Sequence, residues 1–305
     1  MPFSGYWIFL QNKIQLPILL LSQLKIKFLN LLKDEYPVQE VSSFFNLLIE
    51  SYLGMNRLDF ALKPGKELSL EEKQKFESAI HRLSLHEPIQ YIIGETEFFG
   101  LKFKVDKNVL IPRPETEELV QWVLDDVGES KNSPKLKILD IGTGSGCIAI
   151  SLAKNLPNAE IFALDISEKA LKIARENAGL NKVNVNFIQA DILNLEALTG
   201  KFDVVVSNPP YVREMEKAEM HRNVLENEPE MALYVKDTDP LIFYGIIAKL
   251  ARAGLQENGN LYFEINQYLP NETEEILKNS GFKTELKKDI FGNYRMLRGR
   301  MKSNN

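Results

Sequence analysis

The sequence predicts an α/β chain: a mostly parallel sheet covered by helices on both faces, with an antiparallel last strand, preceded by a small helical domain and a β-hairpin connector. Three observations predict it. Before Glu87 the apolar residues recur at three-to-four spacing, from Ile111 onward short apolar runs alternate with helical stretches, and Phe291-Gly-Asn293 turns the final two segments back on each other. With 305 residues, 44% of them apolar and 26% charged, there is room for two domains at about 150 residues each.

In chain order, residues 1–23 are expected to be an extension outside the folded domains. The apolar run Ile14–Leu24 is broken by Pro17 and Gln23. It falls short of the roughly 20 residues a membrane span needs, so no membrane association is expected. Lys13 alone is a weak charged start for a signal peptide, and no small-residue cleavage site follows. Residues 24–87 read as the helical domain. Val41, Phe44, Phe45, Leu48, Ile49 and Tyr52 share one face of a helix over Val38–Leu53, Gly54 can end it, and Ser69-Leu-Glu-Glu72 reads as a capping box opening another. Residues 88–108 are expected to form the connector, where Phe98–Val105 alternates with Lys102 and Lys104 around a turn at Gly100. Residues 109–302 form the sheet domain, with strands expected at Leu136–Ile141, Glu160–Asp165, Asn184–Asp191, Phe202–Asn208, Asn260–Ile265, Phe282–Asp289 and Tyr294–Arg300.

Composition excludes some functions. A formal net charge of −5 provides no global basic surface, so no stable nucleic-acid complex is expected. Cys147 is the one cysteine, which forbids an internal disulfide and fits a reducing cytoplasm. His81, His86 and His221 lack metal-ligand spacing to a cysteine or paired carboxylate, so no metal is expected.

The first expected strand runs into Asp140-Ile-Gly-Thr-Gly-Ser-Gly146 and then the helical stretch Cys147–Lys154. Gly142, Gly144 and Gly146, with Thr143 and Ser145 between them, make a tight turn whose backbone can approach a ligand closely. Asp165 closes the second strand 19 residues after Gly146, where a carboxylate can reach two ribose hydroxyls. Asp140 can order the turn and face a cationic aminoacyl group, whereas it would repel a pyrophosphate. Asp191 can accept the exocyclic amine of adenine while Ile192 packs on the ring; a strand-end cap and a core residue are the alternative roles for that pair. Together these residues suit a nucleoside cofactor bearing a sulfonium amino acid.

Asn208-Pro-Pro-Tyr211 follows the fourth strand, at the edge where open α/β sheets bind ligands. An amide nitrogen is a poor nucleophile because its lone pair is delocalised, so a site acting on one must orient it. The Asn208 side-chain oxygen can accept one N–H and the Pro209 carbonyl the other. Pro209 and Pro210 stiffen the segment, and Tyr211 offers a wall for a planar amide or base.

The chain also carries Pro88-Ile-Gln-Tyr-Ile-Ile-Gly94, Phe99-Gly-Leu-Lys-Phe103, Val109-Leu-Ile-Pro-Arg-Pro-Glu-Thr-Glu117, Glu228-Pro229 and Gly292-Asn-Tyr-Arg295. With the glycine loop and Asn208-Pro-Pro-Tyr211, these make the chain from about residue 25 onward resemble the HemK/PrmC family of release-factor glutamine methyltransferases. It implies a Rossmann-like class I methyltransferase sheet and S-adenosylmethionine as cofactor, contacted by Gly142 to Gly146, Asp165, Ile192 and Asn208. It also implies methylation of the glutamine in a Gly-Gly-Gln loop of peptide chain release factors, with Asn208 to Tyr211 on the glutamine and the helical domain grasping the factor. A monomer is expected. The sequence departs from the family pattern at Ile192, where an aromatic residue sometimes stands, and at Asp239-Pro-Leu241, where Gly-Leu is familiar. Glutamine methylation of a ribosomal protein, and methylation of an exocyclic amine in DNA or RNA, are the alternative activities. The acidic stretch Glu214–Glu230 reads equally as a solvated lid or a surface helix.

Overall fold

The computed structural model describes residues 20–128 and 136–301. The chain folds as two compact units, one ending at Ile93 and the other beginning at Gly94. Among the described residues, no helix is long and apolar enough to cross a membrane.

The first unit is helical: α1 (Leu21–Leu32), α2 (Val38–Leu53), α3 (Arg57–Leu62), α4 (Leu70–Ser84) and α5 (Ile89–Ile93). Its aromatic and aliphatic residues Phe28, Phe45, Leu48 and Phe76 are fully buried in one cluster. The sequence signals at its helix ends are realised. Gly54 ends α2 at φ +63°, a left-handed conformation that costs glycine little. Ser69 and Glu72 cap α4 reciprocally, each backbone N–H donating to the other's side-chain oxygen, at 2.7 and 3.1 Å.

The boundary expected at residue 24 is moved. Leu21 is fully buried, its N–H donates to Lys66 O and that of Ser22 to Pro64 O, so α1 starts three residues earlier. Burial of a leucine is worth about 1.5–3 kcal/mol, and the Gln23 side chain helps open the helix by accepting from Leu20 N at 3.1 Å. Residues 1–19 of the expected extension lie outside the described residues.

The second unit opens with the hairpin β1 (Glu95–Phe98) and β2 (Leu101–Lys104), turning through Phe99 and Gly100, both at positive φ. The stretch 88–108 is therefore divided: α5 falls in the first unit and the hairpin in the second. Then follow α6 (Pro114–Gly128), β3 (Lys137–Ile141), α7 (Cys147–Asn155), β4 (Glu160–Asp165), α8 (Glu168–Asn181), β5 (Asn186–Gln189), β6 (Phe202–Ser207), β7 (Val212–Arg213), α9 (Arg222–Asn227), α10 (Glu230–Leu233), β8 (Tyr234–Val235), α11 (Ile242–Gly254), β9 (Leu255–Glu264), α12 (Pro270–Asn279), β10 (Phe282–Lys288) and β11 (Tyr294–Met301). Asn177 and Asn181 of α8 hold the hairpin. Asn177 exchanges both hydrogen bonds with the backbone of Lys104 and also donates to Ser145 O, while Asn181 donates to Lys102 O.

The main sheet has seven strands among the described residues, in the order β10-β11-β9-β6-β3-β4-β5. β9, β6, β3, β4 and β5 pair in parallel, and β11 inserts antiparallel between β9 and β10. Two apolar cores flank it, one around Trp122, Ile138, Ile148 and Tyr262 and the other around Leu139, Val205, Tyr244 and Phe263. Successive residues of β3 feed opposite cores, as strand alternation requires of a sheet covered on both faces. The chain order reverses beside β3, which has β4 on one side and β6 on the other.

Candidate active site

A cavity of about 410 Å³ opens at this reversal, beyond the carboxyl ends of β3, β4 and β6. Registry brings those ends together: Ile141 lies opposite Ser207, Asp165 opposite Gln189, and the Ser207 hydroxyl donates to Ile141 O at 2.7 Å.

The glycine loop forms one wall. Gly142, Gly144 and Gly146 all have positive φ, at +75°, +54° and +85°. Among the described residues, a Cβ at Gly142 or Gly144 would meet nothing within 4 Å, so the backbone there faces open space. At Gly146 it would lie 2.8 Å from Ile150 Cδ1 and 3.2 Å from Ala174 Cβ, so this glycine serves helix packing rather than ligand approach. Gly142 and Gly144 line the cavity; Thr143, Ser145 and Gly146 do not. Thr143 and Ser145 point inward and are buried.

Asp165 lines the cavity with its carboxylate fixed by two backbone donors, Gly144 N on Oδ2 at 2.8 Å and Ser167 N on Oδ1 at 2.9 Å. Burial raises its pKa, against those hydrogen bonds. Asp140 does only half of what the sequence suggested. Its Oδ2 accepts from Thr143 Oγ1 and Ala149 N and so orders the turn, but the residue is wholly buried and does not line the cavity. Burial pushes it up to about 7, and its Oδ1 has no hydrogen-bond partner among the described residues. Asp191 and Ile192 line the cavity, and Asp191 also caps the turn after β5 through Leu193 N and Asn194 Nδ2. Burial likewise pushes the Cys147 thiol up to about 12, leaving it a neutral packing residue.

Asn208, Pro209 and Pro210 form the facing wall. Asn208 Nδ2 donates to Thr116 Oγ1 at 3.3 Å, Thr116 donates to Glu264 Oε2 at 2.6 Å, and Tyr211 donates to Glu264 Oε1 at 3.0 Å. Tyr211 is thus turned away from the expected role of a wall: it does not line the cavity, packs against the second core, and is held by its hydroxyl. Burial and the Glu264 charge raise its pKa well above the usual tyrosine value. Asn266, buried two residues past the end of β9, donates to Tyr211 O at 2.9 Å and to the Glu216 carboxylate.

Glu264 and Asn266 are not among the residues the sequence singles out, and neither are the cavity-lining Met231 and Phe243; Thr116 and Leu110 lie in the Val109–Glu117 stretch that carries the resemblance, but with no site role expected of them. A glutamate directly after the apolar Leu261-Tyr-Phe263 was the available signal, since a charge ending a buried strand needs partners. The acidic stretch is less free than either expectation for it. Glu216 is buried against Arg213 at 2.6 Å, and Glu228 is buried against Arg113 at 2.6 Å, while Pro229, Met231 and Ala232 beyond it reach the cavity.

Residues 132–281 match a methyltransferase domain and residues 27–94 the PrmC N-terminal domain. The release factor glutamine methyltransferase of Flavobacterium psychrophilum is 51% identical over 92% of this chain and 99% of its own length. That of Bacteroides thetaiotaomicron is 46% identical over 87% and 95%. Among solved structures, the hMettl16 catalytic domain, in complex with an RNA hairpin, covers 79% of this chain and 86% of its own, with a TM-score of 0.50 at 15% identity, a likeness of fold alone. The chain belongs to the HemK/PrmC family of S-adenosylmethionine-dependent methyltransferases.

Proposed function

We propose that this protein transfers a methyl group from S-adenosylmethionine to the side-chain amide nitrogen of the glutamine in the Gly-Gly-Gln loop of peptide chain release factors. The observation that carries the reading is the cavity wall of Asn208, Pro209 and Pro210 facing the open glycine loop. The curated relatives named release factor glutamine methyltransferase supply the substrate.

The residues present fit the cofactor. The bare backbone of Gly142 and Gly144 leaves room for a ligand, the fixed Asp165 carboxylate retains lone pairs for ribose hydroxyls, and Ile192 offers an apolar surface beside Asp191. The cavity volume suits a nucleoside-sized ligand. When bound, S-adenosylmethionine supplies an electrophilic methyl on a sulfonium centre. Asn208 and the Pro209 carbonyl accept the two N–H bonds of the glutamine amide and so aim its lone pair. The surplus proton of the methylated amide leaves to water, and no general base is needed. Catalysis is positioning and exclusion of competing orientations.

Asp165→Ala is expected to weaken S-adenosylmethionine binding about 10–100-fold, the equivalent of a lost charged hydrogen bond, with a smaller change in kcat at saturating cofactor. Titration calorimetry on the purified variant checks it; unchanged affinity would remove Asp165 from the cofactor site.

The helical unit is assigned to grip the release factor, and the protein to act as a cytoplasmic monomer without a stable nucleic-acid complex. Methyl transfer from labelled cofactor tests the substrate: a release factor should take up label, and the same factor with Gly-Gly-Ala in place of Gly-Gly-Gln should not. Equal labelling of the two, or labelling only of ribosomal protein or duplex DNA, would overturn the assignment.

A further inference from the structure

We infer that Thr116 and Glu264 are positioning residues that fix which end of the Asn208 side-chain amide faces the substrate. The inference rests on the reading of Asn208 given above and deepens it.

The two ends of an asparagine amide are nearly identical in shape and opposite in hydrogen-bonding sense. Rotation about its last torsion by a half turn would replace the acceptor offered to a glutamine N–H with a donor, and the substrate amide would be turned away. Something must hold the amide one way round. The chain of contacts behind Asn208 has a definite polarity. Glu264 is almost fully buried, and its two oxygens accept from two different hydroxyls, Thr116 at 2.6 Å and Tyr211 at 3.0 Å. A carboxylate only accepts, so it takes the single hydroxyl proton of Thr116. Thr116 Oγ1 then has lone pairs alone to offer Asn208, and only the Nδ2 end can meet them, as it does at 3.3 Å. Oδ1 is left for the substrate. Burial raises Glu264, while its hydrogen bonds from Thr116 and Tyr211 and the nearby Arg295 charge act to keep it ionised. Thr116 is itself buried, on the first turn of α6, and the Glu264 backbone is tied by Tyr244 donating to its carbonyl at 3.2 Å. The relay is therefore mounted on two rigid elements, α6 and β9, rather than on the loop that carries Asn208.

Thr116→Val keeps the size of the side chain and removes the hydroxyl; Thr116→Ser keeps the hydroxyl and removes the methyl. With a release factor as substrate, Thr116→Val is expected to lower kcat about tenfold or more while the KM for the release factor stays within about threefold. Thr116→Ser is expected to restore kcat to within about threefold of the parent. A role confined to packing would reverse the order, sparing Thr116→Val, which keeps the size, and slowing Thr116→Ser, which loses a buried methyl. Glu264→Gln, which can donate as well as accept, should slow turnover like Thr116→Val, and the double variant should be no slower than either, because both break one chain of contacts. Asn208→Ala in the same assay separates the failures. If Asn208→Ala is slow and Thr116→Val retains more than half the parental kcat, the relay is wrong and the reading of Asn208 stands. If Asn208→Ala is itself as fast as the parent, both fall.

Discussion

Asn208→Ala is expected to cost about 3 kcal/mol or more of transition-state stabilisation, a loss of at least about 100-fold in kcat, while the affinity for S-adenosylmethionine falls far less. The size follows from what the side chain does. It offers a preorganised acceptor at the cavity wall, braced from behind by Thr116 and, through it, by buried Glu264. An amide nucleophile gains little from general base catalysis before the new bond forms, so orientation carries the rate and nothing else in the wall replaces it. Single-turnover kinetics at saturating cofactor measure the effect. A drop of less than about tenfold would contradict the role.

The second large effect is on stability. Glu228 is buried and accepts from Arg113 at 2.6 Å and from Ile111 N at 3.3 Å. Arg113→Ala would leave that carboxylate in a low-dielectric setting with one backbone donor, and breaking a buried pair in this way costs about 3–5 kcal/mol. Because Arg113 is partly exposed and water can reach its place, the lower end is expected, about 3 kcal/mol. That corresponds to a fall of roughly 6–12 °C in the melting temperature of a unit of this size. Adding Glu228→Ala should recover part of the loss, since the stranded charge goes with it. Equal melting of Arg113→Ala and the parent would show that solvent already satisfies Glu228.

Much of this was legible along the chain because the signals are local. The helix Val38–Leu53 has the bounds its apolar spacing gave it, and Gly54 and Ser69 cap as their residue types require. The glycine turn, Asp165 and the Asn208-Pro-Pro segment all reach one cavity, because in a parallel sheet every forward strand delivers its carboxyl end to the same edge. The antiparallel last strand was likewise visible in its turn residues.

What was not legible depends on partners far away in sequence. The hairpin reads as a connector until Asn177 and Asn181, 73 and 79 residues on, are seen to hold its backbone. Tyr211 reads as an aromatic wall until its hydroxyl finds Glu264, 53 residues later. Asp140 reads as a ligand-facing acid, yet its carboxylate turns inward to Thr143 and Ala149. Side-chain direction at a strand end is set by such tertiary contacts, which no periodicity encodes. Two of the segments that carry the family resemblance, Ile111–Glu117 and Glu228-Pro229, also meet in the fold, where partly exposed Arg113 pairs with buried Glu228.

The most direct test is mass-spectrometric mapping of a release factor after incubation with the purified protein and S-adenosylmethionine, with Asn208→Ala in parallel. The expected result is a single added methyl on the side-chain amide of the Gly-Gly-Gln glutamine, absent with the variant. An unmodified glutamine under conditions where a ribosomal protein or DNA is methylated would contradict the assigned substrate and leave the fold and the cofactor site in place.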